Sequence, residues 1–173
     1  MKCMVTSVLF AALLVGCSSA PNEPPRVVAP ADDPNASKPD RPLPDRAYKA
    51  ELSLPEPLTT LRPNEKKTIN VKVKNASDVL WIVYGMRKED GSKYRVSVGN
   101  RWLDSKNQLL TNMDGRIGLP ANLGPGQEVV VPLLITAPGQ AGDYILELDA
   151  VHEGVNWFKD KGSPTLKVNV KVQ

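Results

Sequence analysis

From Tyr48 onward, apolar and polar side chains alternate along the chain. Tyr48, Ala50, Leu52 and Leu54 share one parity, with Lys49, Glu51 and Ser53 on the other; Ile69, Val71 and Val73 alternate with Thr68, Asn70, Lys72 and Lys74. A period of two places neighbouring side chains on opposite faces of a strand, so these runs predict sheets with one buried and one wet face. Tyr94, Val96, Val98 and Trp102 share a face with Asn100 between them. Val129, Val131, Leu133 and Ile135 form the most apolar run, predicted as a central strand. Tyr144, Leu146, Leu148 and Ala150 continue the pattern, and Leu166, Val168, Val170 and Val172 close it against Thr165, Lys167, Asn169 and Lys171. No stretch of helical period competes with these runs.

Turn chemistry separates them: Asp90-Gly91, Asp104-Ser105-Lys106-Asn107, Asp114-Gly115, Gly124-Pro125-Gly126 and Pro138 to Gly142. About seven strands at this spacing predict an all-β fold, an antiparallel β-sandwich, with a Greek-key barrel as the alternative. Lysines on the outer faces around Lys72 and Lys167 discourage edge-to-edge pairing. Two details make the sandwich immunoglobulin-like. Trp102 lies within a mid-domain strand, where that fold buries a tryptophan between its sheets. Ala141 to Leu146 resembles the corner at which a tyrosine enters the penultimate strand and its hydroxyl bonds back to the backbone. The disulfide of antibody domains is absent, and Leu146 stands where its second cysteine would be.

Residues 18–47 behave differently. They hold eight prolines and almost no large apolar side chain, so they are expected to form a disordered, partly polyproline tether reaching between about 30 Å as a coil and about 90 Å fully extended. Ahead of them, the apolar run Met4 to Val15 follows the basic Lys2. Its length suits a signal-peptide core and falls well short of the roughly 20 residues that span a bilayer. The run ends in Leu14-Val15-Gly16-Cys17, which resembles the lipobox of bacterial lipoproteins. That resemblance implies cleavage before Cys17 and a diacylglycerol thioether on its sulfur, with fatty-acyl chains such as palmitate holding the protein on a membrane. Two or more chains anchor stably where one does not. Ser18, rather than Asp, follows the cysteine, and in lipoproteins of Gram-negative bacteria this implies sorting to the outer membrane, facing the periplasm. The expected organisation is a signal peptide over 1–16, a lipidated cysteine and tether over 17–47, and a sandwich over 48–173.

Charge and cysteine content narrow the function. The 173-residue chain carries a formal charge of +3, and loss of the signal leaves +2. So even a balance argues against a dedicated nucleic-acid binder, which shows a strong local basic excess. Cys3 lies in the signal and Cys17 at the anchor, leaving no thiol for a disulfide or a cysteine-bound metal in the folded part.

Reactive groups are sparse. His152 is the only histidine, which excludes a His-rich zinc site, and no nucleophile motif such as Gly-x-Ser-x-Gly accompanies it. Glu147 and Asp149, two apart on one strand face with Glu153 nearby, are a candidate carboxylate pair or cation site, although a solvated strand face explains them more simply. Asp90, Asp104 and Asp114 are turn formers without the spacing of an EF-hand loop. No cofactor or metal is expected. The candidate binding residues are aromatic. Trp81, Tyr84, Trp157 and Phe158 fall near strand ends or loops, where exposed rings stack on sugars or on apolar peptide side chains; alternatively, Trp157 and Phe158 plug the open end of the sandwich.

Arg101 to Asp104, Leu119-Pro120, Leu123 to Gly126, Ala137-Pro138, Gly142 to Asp149 and Glu153 to Phe158 together resemble a bacterial immunoglobulin-like module found beside glycosyltransferases and other surface-polysaccharide proteins. The resemblance spans residues 48–173 and implies an accessory, noncatalytic domain. The expectation is therefore a membrane-anchored binding or adaptor lipoprotein of the cell envelope recognising a protein or a glycan, with a structural subunit of an envelope assembly as the alternative and a hydrolase ranked third.

Overall fold

The computed structural model describes residues 42–83, 94–112 and 114–173. Cys17, Tyr84, the expected signal peptide and nearly all of the expected tether lie outside the described residues.

Among the described residues, ten strands follow in order: β1 (Ala50–Ser53), β2 (Thr60–Leu61), β3 (Lys66–Asn75), β4 (Val96–Asp104), β5 (Leu109–Thr111), β6 (Arg116–Gly118), β7 (Glu128–Thr136), β8 (Gly142–His152), β9 (Asn156–Trp157) and β10 (Leu166–Val172). They form two sheets. The smaller has the order β1-β3-β7, and the larger β2-β10-β8-β4-β5, with β6 also on β4 and β9 also on β8. All pairs are antiparallel except β2 with β10. The fold is an immunoglobulin-like antiparallel β-sandwich.

Register explains why the alternating sequence seals a core. In the smaller sheet Ile69 lies opposite Leu133 and Val71 opposite Val131; in the larger, Val98 pairs with Ala150 and Trp102 with Leu146. All but Ile69 are essentially inaccessible, and together they form one apolar cluster. Burying one such Val or Leu side chain contributes about 1.5–3 kcal/mol.

Both immunoglobulin-like details are present. Trp102 is buried in β4 with its ring edge-on to Tyr144. The Tyr144 hydroxyl donates to the Gln140 carbonyl at 3.0 Å, forming the tyrosine corner.

Two expectations need correction. The apolar run in β7 is an edge strand, and the polar-faced β3 is central. Pro132 lies within β7 and has no N–H to give a ladder, which suits an edge. The run is apolar on both parities, with Val130, Pro132 and Leu134 exposed to solvent and Val131, Leu133 and Ile135 buried. The folded part also begins before residue 48. Leu43 packs against the core, and a 3-10 turn over Asp45–Ala47 buries Ala47, whose carbonyl accepts the Trp81 indole N–H at 2.9 Å.

Candidate functional site

Two of the candidate aromatics are core residues. Trp81 forms a two-way backbone bridge with Leu123, and its ring meets Phe158 edge-on at 5.2 Å. Phe158 in turn meets Tyr48 at 4.9 Å. Neither Trp81 nor Phe158 exposes any surface, so neither ring stacks on a ligand in this fold. Apolar area is worth more inside the sandwich than at a loop tip, which is why these rings turn inward. Of the two rings expected alternatively to plug the open end of the sandwich, Phe158 lies inside the core and Trp157 does not.

Trp157 is different. It stands half-buried on the outer face of the larger sheet, with the Arg101 guanidinium 4.3 Å from its ring centre and that of Arg116 at 4.5 Å. Gly99, on β4, makes room for this stack. A Cβ there would lie 3.2 Å from Trp157 Cη2 and 3.0 Å from Arg116 Nε.

Beneath the ring lies a charged cluster that no single strand reveals. β4 and β8 bring Arg101 opposite Glu147 and Gly99 opposite Asp149, while β6 sets Arg116 opposite Gly99. Arg101 Nη2 is 3.0 Å from Glu147 Oε2, and Lys159 Nζ is 3.9 Å from the same oxygen. Glu147 Oε1 accepts the Thr165 hydroxyl at 3.0 Å. Arg116 Nη1 is 3.6 Å from Glu153 Oε1, which also accepts the Ser97 hydroxyl. The expected solvated face is thus a covered one, since Arg101, Glu147 and Asp149 are all buried. The cover is the segment Asn156–Lys161, comprising β9 and a 3-10 turn over Phe158–Lys161. Phe158 enters the core, which clamps the neighbouring residues across the sheet.

Asp149 lies deepest in the cluster. Its Oδ2 accepts the Lys159 backbone N–H at 3.1 Å; Oδ1 is buried without a hydrogen-bond partner among the described residues. Burial, with a smaller contribution from Glu147, raises its pKa to about 7 against the opposing pull of the Lys159 N–H, Arg101 and the Ala150 backbone N–H. His152 occupies the other face of β8, inside the sandwich, where its Nδ1 and the Tyr48 hydroxyl share a hydrogen bond of 2.7 Å. Burial pushes its pKa below the ordinary histidine value, so it stays neutral at physiological pH.

Asp114 does more than turn the chain. Its Oδ2 receives the Thr136 backbone N–H at 2.6 Å, Asn100 Nδ2 at 3.1 Å and the Trp102 indole N–H at 3.3 Å. Among the described residues, no group of three His, Cys, Asp or Glu side chains is placed to hold a metal ion, and no helix is long and apolar enough to cross a membrane. Arg101 and Arg116 were not legible in the sequence as the partners of Glu147 and Glu153. The outward parity of Arg101 on β4 was a visible signal, but its pairing with Glu147 depends on strands far apart in the chain.

No family model and no curated protein matches this chain. Solved structures resemble it in fold. The CARDB domain of a Pyrococcus furiosus protein, crystallised with di-metal ions, is 17% identical with a TM-score of 0.42, over 72% of this chain and 86% of that one. A β-glucosidase from Listeria innocua, in complex with glucose, is 12% identical with a TM-score of 0.40, over 70% of this chain and 16% of that one. A PapD-like domain of human CEP192 is 15% identical with a TM-score of 0.33, over 78% of this chain and 89% of that one.

Proposed function

We propose that this chain is a noncatalytic binding or adaptor lipoprotein of the bacterial cell envelope, anchored through Cys17 at the periplasmic face of the outer membrane and recognising another envelope component. The observation that carries the noncatalytic reading is the enclosure of the groups able to do chemistry: Asp149 and His152 expose no surface, and Glu147 almost none. His152 is bonded to Tyr48, Asp114 to three donors, Glu147 to Arg101 and Thr165. A general acid or base needs an open approach to the proton it moves, and His152, Glu147 and Asp149 are buried.

Between a glycan and a protein as partner, the surface favours a protein. Burial of Trp81 and Phe158 leaves Trp157 as the one ring of that described set with exposed area. Val130, Pro132 and Leu134 instead line the outer side of edge strand β7, with Leu134 53% exposed. Apolar stripes of this kind mark protein contacts. The same stripe supports the second reading, a subunit of an envelope assembly.

Photo-crosslinking in intact cells tests the proposal, with the reactive residue at position 134 or, as a control, at the exposed Asn169. A discrete protein adduct in the outer-membrane fraction from position 134 alone supports it. Adducts with sugar chains alone move the partner to glycans. Robust hydrolytic turnover by the purified full chain overturns the noncatalytic reading.

A further inference from the structure

We infer that the segment Asn156–Lys161 is a pH-responsive strap, held closed over the outer face of the larger sheet when the Asp149 carboxyl is protonated and loosened when it ionises. The inference does not depend on the proposed adaptor role. It rests first on geometry. Asp149 is 0% exposed, one of its oxygens lacks a partner among the described residues, and the other is bonded to the strap through the Lys159 N–H. An ionised carboxylate in such a place loses its hydration without full compensation, whereas a neutral carboxyl loses far less. Opening the strap returns Asp149 to water and removes that penalty.

The surrounding charges temper the effect without cancelling it. Arg101 faces Asp149 from β4 and Arg116 from β6, both favouring the ionised form. Glu147, on the same strand, opposes them, but is itself occupied by Arg101, Lys159 and Thr165. Glu153 is directed to Arg116. From β10, Lys167 reaches away to Asn107. Within the strap, Asp160 accepts the Trp157 N–H and Lys161 pairs with Asp45. The balance leaves Asp149 titrating near 7.

The direction follows from proton linkage. The closed strap binds a proton that the open one releases, because open Asp149 returns toward its ordinary value of 3.8. Opening is therefore suppressed at acid pH, grows about tenfold per pH unit from roughly pH 5 to 7, and levels off above that. His152 lies on the inner face of β8; its protonation acts on the whole sandwich and in the opposite sense.

Amide hydrogen exchange on the full chain from pH 5 to 8, corrected for the intrinsic pH dependence of exchange, provides the test. The Lys159 amide is expected to lose about tenfold protection per pH unit up to about 7, while the Leu148 amide, buried in the central strand, serves as the reference for global unfolding. Asp149→Asn should remove this dependence and hold Lys159 at its acid-side protection. Carboxyl-carbon resonances of the unmutated protein give a second measure that needs no folded variant. Corrected Lys159 protection that is flat with pH, an unchanged dependence in Asp149→Asn, or an Asp149 carboxyl titrating below pH 5 would each overturn the inference.

Discussion

Trp102 and Asp114 are joined by a hydrogen bond from the indole N–H to Oδ2 at 3.3 Å. Because the same oxygen also receives the Thr136 N–H, the bond ties β4 of the larger sheet to the end of β7 in the smaller one. The core tryptophan and a turn aspartate thus act together as a staple between the two sheets. Asn100 completes it, donating to Asp114 and accepting the Gly115 N–H at 2.7 Å. Space there is tight, and a Cβ on Gly115 would lie 2.0 Å from the Leu134 carbonyl oxygen.

Asp114→Ala should accordingly destabilise the fold by about 3 kcal/mol, since each buried donor left without an acceptor costs roughly 1–3 kcal/mol. Trp102→Ala should cost about 3–5 kcal/mol through the cavity it leaves. Chemical denaturation of both single variants and the double variant checks the staple. The double variant should lose less than the sum of the singles, and strict additivity would separate the two residues.

The stack over Gly99 yields a second expectation. Trp157→Ala should lower stability by about 2 kcal/mol, given roughly 0.5–2 kcal/mol for each cation–π contact. Gly99→Ala should shift tryptophan fluorescence by displacing the ring from between Arg101 and Arg116. A Trp157→Ala protein of unchanged melting temperature that fails to capture its partner would instead place the residue in a recognition surface.

Acid stability should depend on His152. Its folded-state pKa is depressed below the ordinary 6.5, so the stability it contributes is present above about pH 6.5 and is lost as pH falls through its folded value. Acidification from pH 7 to pH 5 should therefore lower the melting temperature more, or raise it less, in the unmutated protein than in His152→Gln, with the opposing contribution of Asp149 common to both. Equal shifts in the two would show that another group governs the acid limb.

At the membrane, Cys17→Ser should leave the precursor unprocessed or release soluble protein, because a hydroxyl does not form the thioether expected at a lipobox. Palmitate labelling followed by membrane fractionation measures this. Persistence of the variant in the outer-membrane fraction would remove the anchor from the proposal.

The inner faces of β3, β4, β8 and β10 were legible in the sequence because a strand enforces a period of two on local side-chain direction. The tyrosine corner was legible for a similar reason, since Tyr144 and Gln140 are only four residues apart. Strand order was not. The apolar character of β7 suggested a central place, yet hydrophobicity reports how many faces are apolar and not how many neighbours a strand has. Pro132 alone hinted at the edge. Nor did local pattern separate Trp81 and Phe158, packed ring against ring across 77 positions of chain, from surface aromatics. Glu147 and Asp149 sat on the polar parity of β8 and therefore looked solvated. Only the folded chain lays Trp157, Lys159, Arg101 and Arg116 over them, because burial and charge pairing are set by which distant segments share a face.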